Sequence, residues 1–185
     1  TNFIFEEKLT VNRDMIEEQC LYLRDKVPGI TTSNYGGWHS NYLPHDDWIF
    51  KSLIDEVLKK SNSVKNDLGF KTEKKLELSN YWININRKND YNNIHSHPQS
   101  FFSAVYYVKV PKNSGAIKFK NPIPAYEYTI QKEMIREYTH FNAGMWEIEP
   151  EEKQLLIFPS WLEHSVLPNQ NDEERISLAF NIKLN

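Results

Sequence analysis

The N-terminal part of the chain has the hydrophobic spacing of two amphipathic helices. Over residues 13–27, behind Asn12 as N-cap, a single apolar stripe recurs at helical intervals and consists of Ile16, Cys20, Leu23 and Val27. Pro28 and Gly29 end this helix. A second helix is predicted to begin at Asp46-Asp47 and to fade near Ser61. Phe3-Ile4-Phe5 is typical of a short edge strand.

After about residue 74 the pattern changes to short runs of β-branched and aromatic residues separated by turn residues. Strands are predicted near 75–86, 93–97, 102–110, 115–120, 126–130, 145–149, 154–158, 162–167 and 174–183. Residues 33–40 form a glycine turn, as a loop or a very short strand. So many short strands favour a sandwich or jelly roll over a parallel α/β sheet. We therefore predict one mainly β domain over 1–185, with helical support in 1–73 covering one face of a β core in 74–185.

Composition narrows the class of protein. The 22 Lys and Arg against 25 Asp and Glu give a net charge of −3, and no basic run stands out, so nucleic acid is a weak candidate partner. Cys20 is the only cysteine, which excludes an intrachain disulfide. No stretch approaches the ~20 apolar residues of a membrane span, and no basic-then-apolar signal pattern is present. A cytoplasmic protein without a membrane partner is the expectation.

The segment His95-Ser96-His97 is the first candidate for chemistry. Asn and Tyr residues precede it and Pro98 ends it, which favours an extended strand over a helix. On a strand, residues two apart share a face with about 6–7 Å between their Cα atoms. On a helix the same pair would lie about 200° apart. Both rings can therefore reach one metal ion if this segment is a strand.

A second candidate region lies far along the chain. An apolar strand and a turn lead to His164, and a return strand carries Arg175 and Ser177 on one face. We predict a hairpin in which His164 faces Arg175 in antiparallel register. A guanidinium binds a carboxylate bidentately, and a neighbouring hydroxyl adds a further bond. The hairpin thus suits a ligand that chelates a metal at one end and carries a carboxylate at the other.

Together these segments resemble the Fe(II)- and 2-oxoglutarate-dependent oxygenase superfamily, and more narrowly its little-characterised bacterial and phage members. The similarity spans about residues 33–183 and rests on His95-x-His97, residues 103–108 and 114–119, and His164 followed by Arg175-x-Ser177. It implies a double-stranded β-helix, Fe(II) on His95, His97 and His164, and hydroxylation with release of succinate and CO2. It also implies that 2-oxoglutarate binds Arg175 and Ser177, with Tyr107 adding a hydroxyl and Asn84 or Asn86 lining the pocket.

The chain departs from the family pattern at His97. The superfamily uses His-x-Asp with a distal His, and His97 occupies the Asp position. An imidazole in place of a carboxylate raises the local charge by one, which a dianionic co-substrate would offset. Asp90, five residues before His95, is an alternative source of the carboxylate.

Other interpretations remain open at this point. A cupin-like three-His metal protein, acting as a co-substrate-independent dioxygenase or a binding module, also fits His-x-His with a distal His, and a non-enzymatic jelly roll is a further alternative. His39, His45 and His140 are interpreted as loop residues, with His39 the candidate to line a cleft. The family resemblance implies that the prime substrate, to be oxidised by O2, is a protein side chain or a small metabolite.

Overall fold

The computed structural model describes residues 3–71, 73–123, 131–139 and 142–185. Its elements are β1 (Phe5–Lys8), α1 (Arg13–Lys26), β2 (Asn34–Tyr35), β3 (Trp38–His39), α2 (Trp48–Asp67), β4 (Leu76–Asn86), β5 (Tyr91–His95), β6 (Phe102–Lys109), β7 (Ile117–Lys120), β8 (Met145–Ile148), β9 (Gln154–Pro159), β10 (His164–Val166) and β11 (Arg175–Leu184). The strand predicted near 126–130 and the loop residue His140 lie outside the described residues. None of the described helices combines the length and the apolar character that a bilayer crossing needs.

The two helices begin where the sequence predicts. Asn12 accepts a hydrogen bond from the Met15 backbone N–H (3.4 Å), and Asp47 accepts one from Ile49 (3.0 Å). The predicted end of the second helix near Ser61 is wrong, since α2 continues to Asp67. The Ser61 hydroxyl is satisfied inside the helix by the Val57 carbonyl at 2.7 Å, so this serine does not interrupt it.

The strands form two antiparallel sheets. One has the order β1-β9-β6-β11-β4-β3 and the other the order β2-β5-β10-β7-β8. The outer face of the six-stranded sheet is covered by α1 on β6 and α2 on β4, and a large apolar core lies between them. A smaller core, which includes Val105, Phe119 and Phe158, lies between the two sheets. This arrangement confirms the predicted mainly β jelly roll with two helices on one face.

The inner face of the six-stranded sheet carries four cross-strand rows of side chains, which we call the inner rows. They are Asn86–Arg175, Asn84–Ser177–Tyr107, Trp82–Ala179–Val105 and Asn80–Asn181–Ser103. The alternate residues Tyr81, Ile83 and Ile85 belong to the core against the helices. Successive rows are two residues apart, or about 6.6 Å. The inner rows therefore place different chemistry at graded depths of one cavity.

The predicted hairpin of His164 and Arg175 is wrong. β10 is paired on both sides, with β5 and β7, and β11 is paired on both sides, with β4 and β6. Neither strand has a free edge for the other, so the chain after Val166 crosses from one sheet to the opposite sheet. His164 and Arg175 nevertheless line the same inner cavity, from opposite walls.

Candidate active site

Three histidines converge at the mouth of the cavity between the sheets. His95 ends β5 and His164 begins β10, and the two residues are direct partners in that strand pair. His97 lies just beyond β5, where its backbone N–H donates to the Ser160 carbonyl at 2.8 Å. One ring nitrogen from each residue lies within 4.8 Å of the other two. The predicted metal-ligand set is thus brought together in space.

Hydrogen bonds select the tautomer of two of these rings. Nδ1 of His95 lies 2.7 Å from the Asn93 carbonyl, and Nδ1 of His164 lies 2.9 Å from the Leu162 carbonyl. Since a carbonyl oxygen only accepts, each Nδ1 must carry the proton. The Nε2 atoms keep their lone pairs, which is the state that coordinates a metal ion.

Burial keeps the cluster uncharged. Desolvation is the largest influence on all three imidazoles: it lowers the pKa of His95, lowers that of His97 to about 4, and lowers that of His164 well below its usual value. The neighbouring rings lower the pKa of His97 and His164 further. Neutral rings at pH 7 leave the lone pairs free for a cation.

Arg175 is a buried cation at the deep end of the cavity. Its side chain is 2 % exposed, and Nη1 donates to the carbonyls of Ser114 (2.7 Å) and Gly115 (2.9 Å) while Nη2 donates to Asn86 Oδ1 (2.9 Å). None of these acceptors carries a charge, and Nε has no partner at all. Burial lowers the pKa of the guanidinium. A buried charge with an unused donor is costly unless an anion completes it.

The next inner row supplies further polar groups. Asn84, Ser177 and Tyr107 line the inner cavity with Arg175, and burial raises the pKa of the Tyr107 phenol to about 12, so it stays protonated as a donor. Asn86 is not among the lining residues and instead orients the guanidinium. In the following row, Trp82–Ala179–Val105, Ala179 has the smallest side chain and also lines the inner cavity.

The alternative carboxylate, Asp90, serves a structural purpose. Its Oδ2 accepts the Arg87 backbone N–H at 2.7 Å, and its carboxylate packs against Gly36, whose φ is +64°. Within the described residues the metal-ligand cluster contains the three histidines and no carboxylate. The described residues therefore do not support Asp90 as the alternative source of a carboxylate.

Sequence reasoning missed several residues that shape the site. Backbone carbonyls of Ser114 and Gly115 hold Arg175, and backbone acceptors carry no sequence signature. Asn80 and Asn181 line the outer part of the cleft together with Trp82 and His39. The alternation of Asn80, Trp82, Asn84 and Asn86 along one strand is the signal that could have found this face. His39 lines the cleft as anticipated.

A jelly roll with three converging imidazoles and, behind them, a buried guanidinium with an unsatisfied Nε has the donors to hold a metal ion and a small acid. A family model described as "Putative 2OG-Fe(II) oxygenase" matches residues 80–181. The chain belongs to this family of Fe(II)- and 2-oxoglutarate-dependent oxygenases. The family match favours this class over the cupin-like alternative.

Solved structures show the same fold at low sequence identity. A prolyl-4-hydroxylase from Pseudomonas putida is 14% identical, with a TM-score of 0.66 over 99% of this chain and 94% of that one. The viral collagen prolyl hydroxylase of Paramecium bursaria Chlorella virus-1, solved with 2-oxoglutarate, is 14% identical, with a TM-score of 0.61 over 97% and 95%. HygX from Streptomyces hygroscopicus, solved with nickel and 2-oxoglutarate, is 11% identical, with a TM-score of 0.68 over 99% and 83%. A comparison with curated proteins found no match.

Proposed function

We propose that this oxygenase hydroxylates a C–H bond of a protein side chain or small metabolite. In this proposal His95, His97 and His164 are the iron ligands, and Arg175 anchors 2-oxoglutarate. The observation that carries the proposal is the pairing of a neutral three-imidazole cluster with a buried guanidinium whose Nε is unsatisfied, in one cavity. The cupin-like alternative gives that guanidinium no role.

The donor sets fit both groups. Three neutral imidazoles are good ligands for Fe(II), and a facial set leaves positions free for a chelating acid and O2. When bound, iron and 2-oxoglutarate supply the oxidising power for the reaction, with succinate and CO2 as co-products. Within the described residues no carboxylate joins the cluster, which leaves it one charge more positive than a two-His-one-carboxylate set. A dianionic co-substrate compensates this charge.

Each chain residue has a defined task in this proposal. Arg175 grips the distal carboxylate through Nε, and Ser177 and Tyr107 donate hydroxyl hydrogens from the adjacent row. Asn86 and the carbonyls of Ser114 and Gly115 keep the guanidinium from turning away. Phe158 and Val105, which line the inner cavity, exclude water from the space between acid and metal. The cytoplasmic location expected from the sequence stays a prediction.

The first test measures co-substrate binding and turnover together. Protein loaded anaerobically with Fe(II) is expected to bind 2-oxoglutarate and, after addition of O2, to release succinate. Arg175→Lys keeps the charge but loses Nε and the planar fork, so we expect 2-oxoglutarate to bind at least tenfold more weakly. The matched control is Arg87→Lys, because Arg87 is exposed and pairs with Glu174 at 3.3 Å. Equal 2-oxoglutarate affinity in Arg175→Lys and wild type would refute the anchoring role.

A further inference from the structure

An outer cleft of about 640 Å³ opens beside His95 and His97, at the opposite end of the inner rows from Arg175. Its walls carry four carboxamide side chains and five aliphatic hydroxyls, in addition to His39, His95 and His97. The carboxamides belong to Asn41, Asn80, Gln99 and Asn181. Among the residues that the structure describes, no Lys, Arg, Asp or Glu lines this cleft. The lining therefore offers many hydrogen bonds and no charge.

A side-chain relay orients one of these carboxamides. The buried Ser103 hydroxyl donates to Asn181 Oδ1 at 3.0 Å, and Asn181 Nδ2 donates to Asn80 Oδ1 at 3.0 Å. The three residues are neighbours across β6, β11 and β4, so the relay is held by the sheet itself. Because Asn80 Oδ1 is occupied, its Nδ2 is the group left to act as a donor in the cleft.

His39 provides the complementary acceptor. Nδ1 of His39 lies 2.6 Å from the Ser40 carbonyl and must donate to it, so Nε2 retains its lone pair. The ring stacks on Trp82 with 5.6 Å between centroids, which fixes its orientation. A hydroxyl group both donates and accepts, and the cleft thus presents fixed partners of both kinds.

An exposed aromatic ring lies at the rim of the outer cleft. Tyr42 is 64 % exposed, and its ring lies 5.9 Å from that of Trp82. An exposed aromatic ring beside amides and hydroxyls suits the alternating C–H and O–H surfaces of a sugar ring. An extended peptide fits less well, because strand addition needs a free sheet edge. The nearby edge of β4 is already covered by the N–H groups of Ser40 and Leu43, which donate to Ile83 and Tyr81 (3.0 Å each).

We infer that the outer cleft binds an uncharged, hydroxyl-rich substrate of the carbohydrate class, with Asn80 Nδ2 as its positioning donor. This inference rests on the proposed function, since the cleft is the approach to the metal cluster. From the row of Asn80 to the row of Arg175, which pairs with Asn86, the inner rows advance by six residues, or about 20 Å. A sugar ring held at Asn80 and an acid held at Arg175 would therefore approach the histidines from opposite ends.

The test is a direct binding measurement that does not require turnover. Wild-type protein loaded with Zn(II) and 2-oxoglutarate is titrated with neutral methyl glycosides and oligosaccharides, and with the matched uronates and amino sugars. Ligand-observed NMR reports binding. Neutral members are expected to bind at least tenfold more tightly than their charged counterparts, because each charge would lose water without gaining a partner.

Asn80→Asp replaces the donor by a charged acceptor of the same shape, and is expected to weaken neutral glycoside binding by about tenfold or more while leaving 2-oxoglutarate affinity unchanged. Asn66→Asp makes the same change at an exposed position at the end of α2 and should behave as wild type. Any one of four results would overturn the inference. These are equal binding of charged and neutral sugars, no glycoside binding at millimolar concentration, preferential binding of neutral peptides, and wild-type glycoside affinity in Asn80→Asp. Failure of 2-oxoglutarate to bind would instead contradict the proposed function.

Discussion

At the scale of single residues, the unusual feature is an imidazole at the position where the superfamily has a carboxylate. His97 closes the cluster with ring centroids 5.0 Å from His95 and 5.2 Å from His164. Its ring also lies 5.5 Å from Trp82, so it is part of the cleft wall as well. Mutation should have different consequences for a metal ligand and for a residue that only lines the cleft. A short series of His97 substitutions therefore distinguishes the two roles.

We expect His97→Ala to lower Co(II) or Fe(II) affinity by about a hundredfold or more, because losing one of three ligands should cost at least as much as losing an outer-shell partner. His97→Asp should retain metal binding, since it creates the two-His-one-carboxylate set. Metal affinity can be measured by equilibrium competition with a chromophoric chelator. His45→Ala, at an exposed position, is the control. Unchanged affinity in His97→Ala would show that His97 is only a wall residue.

At the scale of elements, the site depends on a close approach between the start of β7 and the loop after β10. Gly115 has a φ of +96°, and a Cβ there would lie 2.1 Å from the Leu167 carbonyl oxygen. The Gly115 carbonyl also accepts a hydrogen bond from Arg175. This glycine therefore couples the packing of two segments to the orientation of the guanidinium.

Gly115→Ala should reduce the free energy of unfolding by about 3 kcal/mol or more, because backbone atoms must separate in addition to the cost of a left-handed conformation. It should also weaken 2-oxoglutarate binding. Gly69→Ala is the matched control: its φ is +79°, but a Cβ there meets nothing within 4 Å, so only about 1 kcal/mol is expected. Urea denaturation of both variants gives the comparison, and equal losses would show that the contact with Leu167 is unimportant.

The helices and strands also show how much of the structure could be predicted from the sequence. Alternation and turn residues located most strands to within about two residues, since period-2 patterns report burial directly. The pairing of β10 with β5 and β7 could not be read from the sequence, because a short loop between two strands suggests a hairpin whether or not the strands share a sheet. His95, His164 and Arg175 were found as candidates by residue type. The hydrogen bonds that fix Arg175 could not be predicted, because most of the acceptors are backbone carbonyls.

At the scale of the whole molecule, the cluster ties stability to pH. In the unfolded chain histidine has a pKa of about 6.5, whereas in the folded protein burial lowers the pKa of His95, His97 and His164. Between these values the unfolded chain binds more protons than the folded one, so folded stability increases with pH across that window. The stabilisation is complete above about pH 6.5 and is lost as pH falls through the folded pKa values.

For His97, with a folded pKa of about 4, the loss on acidification amounts to at most about 3 kcal/mol. We therefore expect metal-free protein to lose more unfolding free energy between pH 7 and pH 4.5 than metal-free His97→Ala, which carries one buried imidazole fewer. Urea titrations at several pH values give the difference, and the carboxylates common to both proteins cancel. Added Zn(II) should raise stability at pH 7 and lose this effect at pH 4.5, because protons compete for the same nitrogen lone pairs. Parallel pH profiles of wild type and His97→Ala would contradict a buried neutral His97.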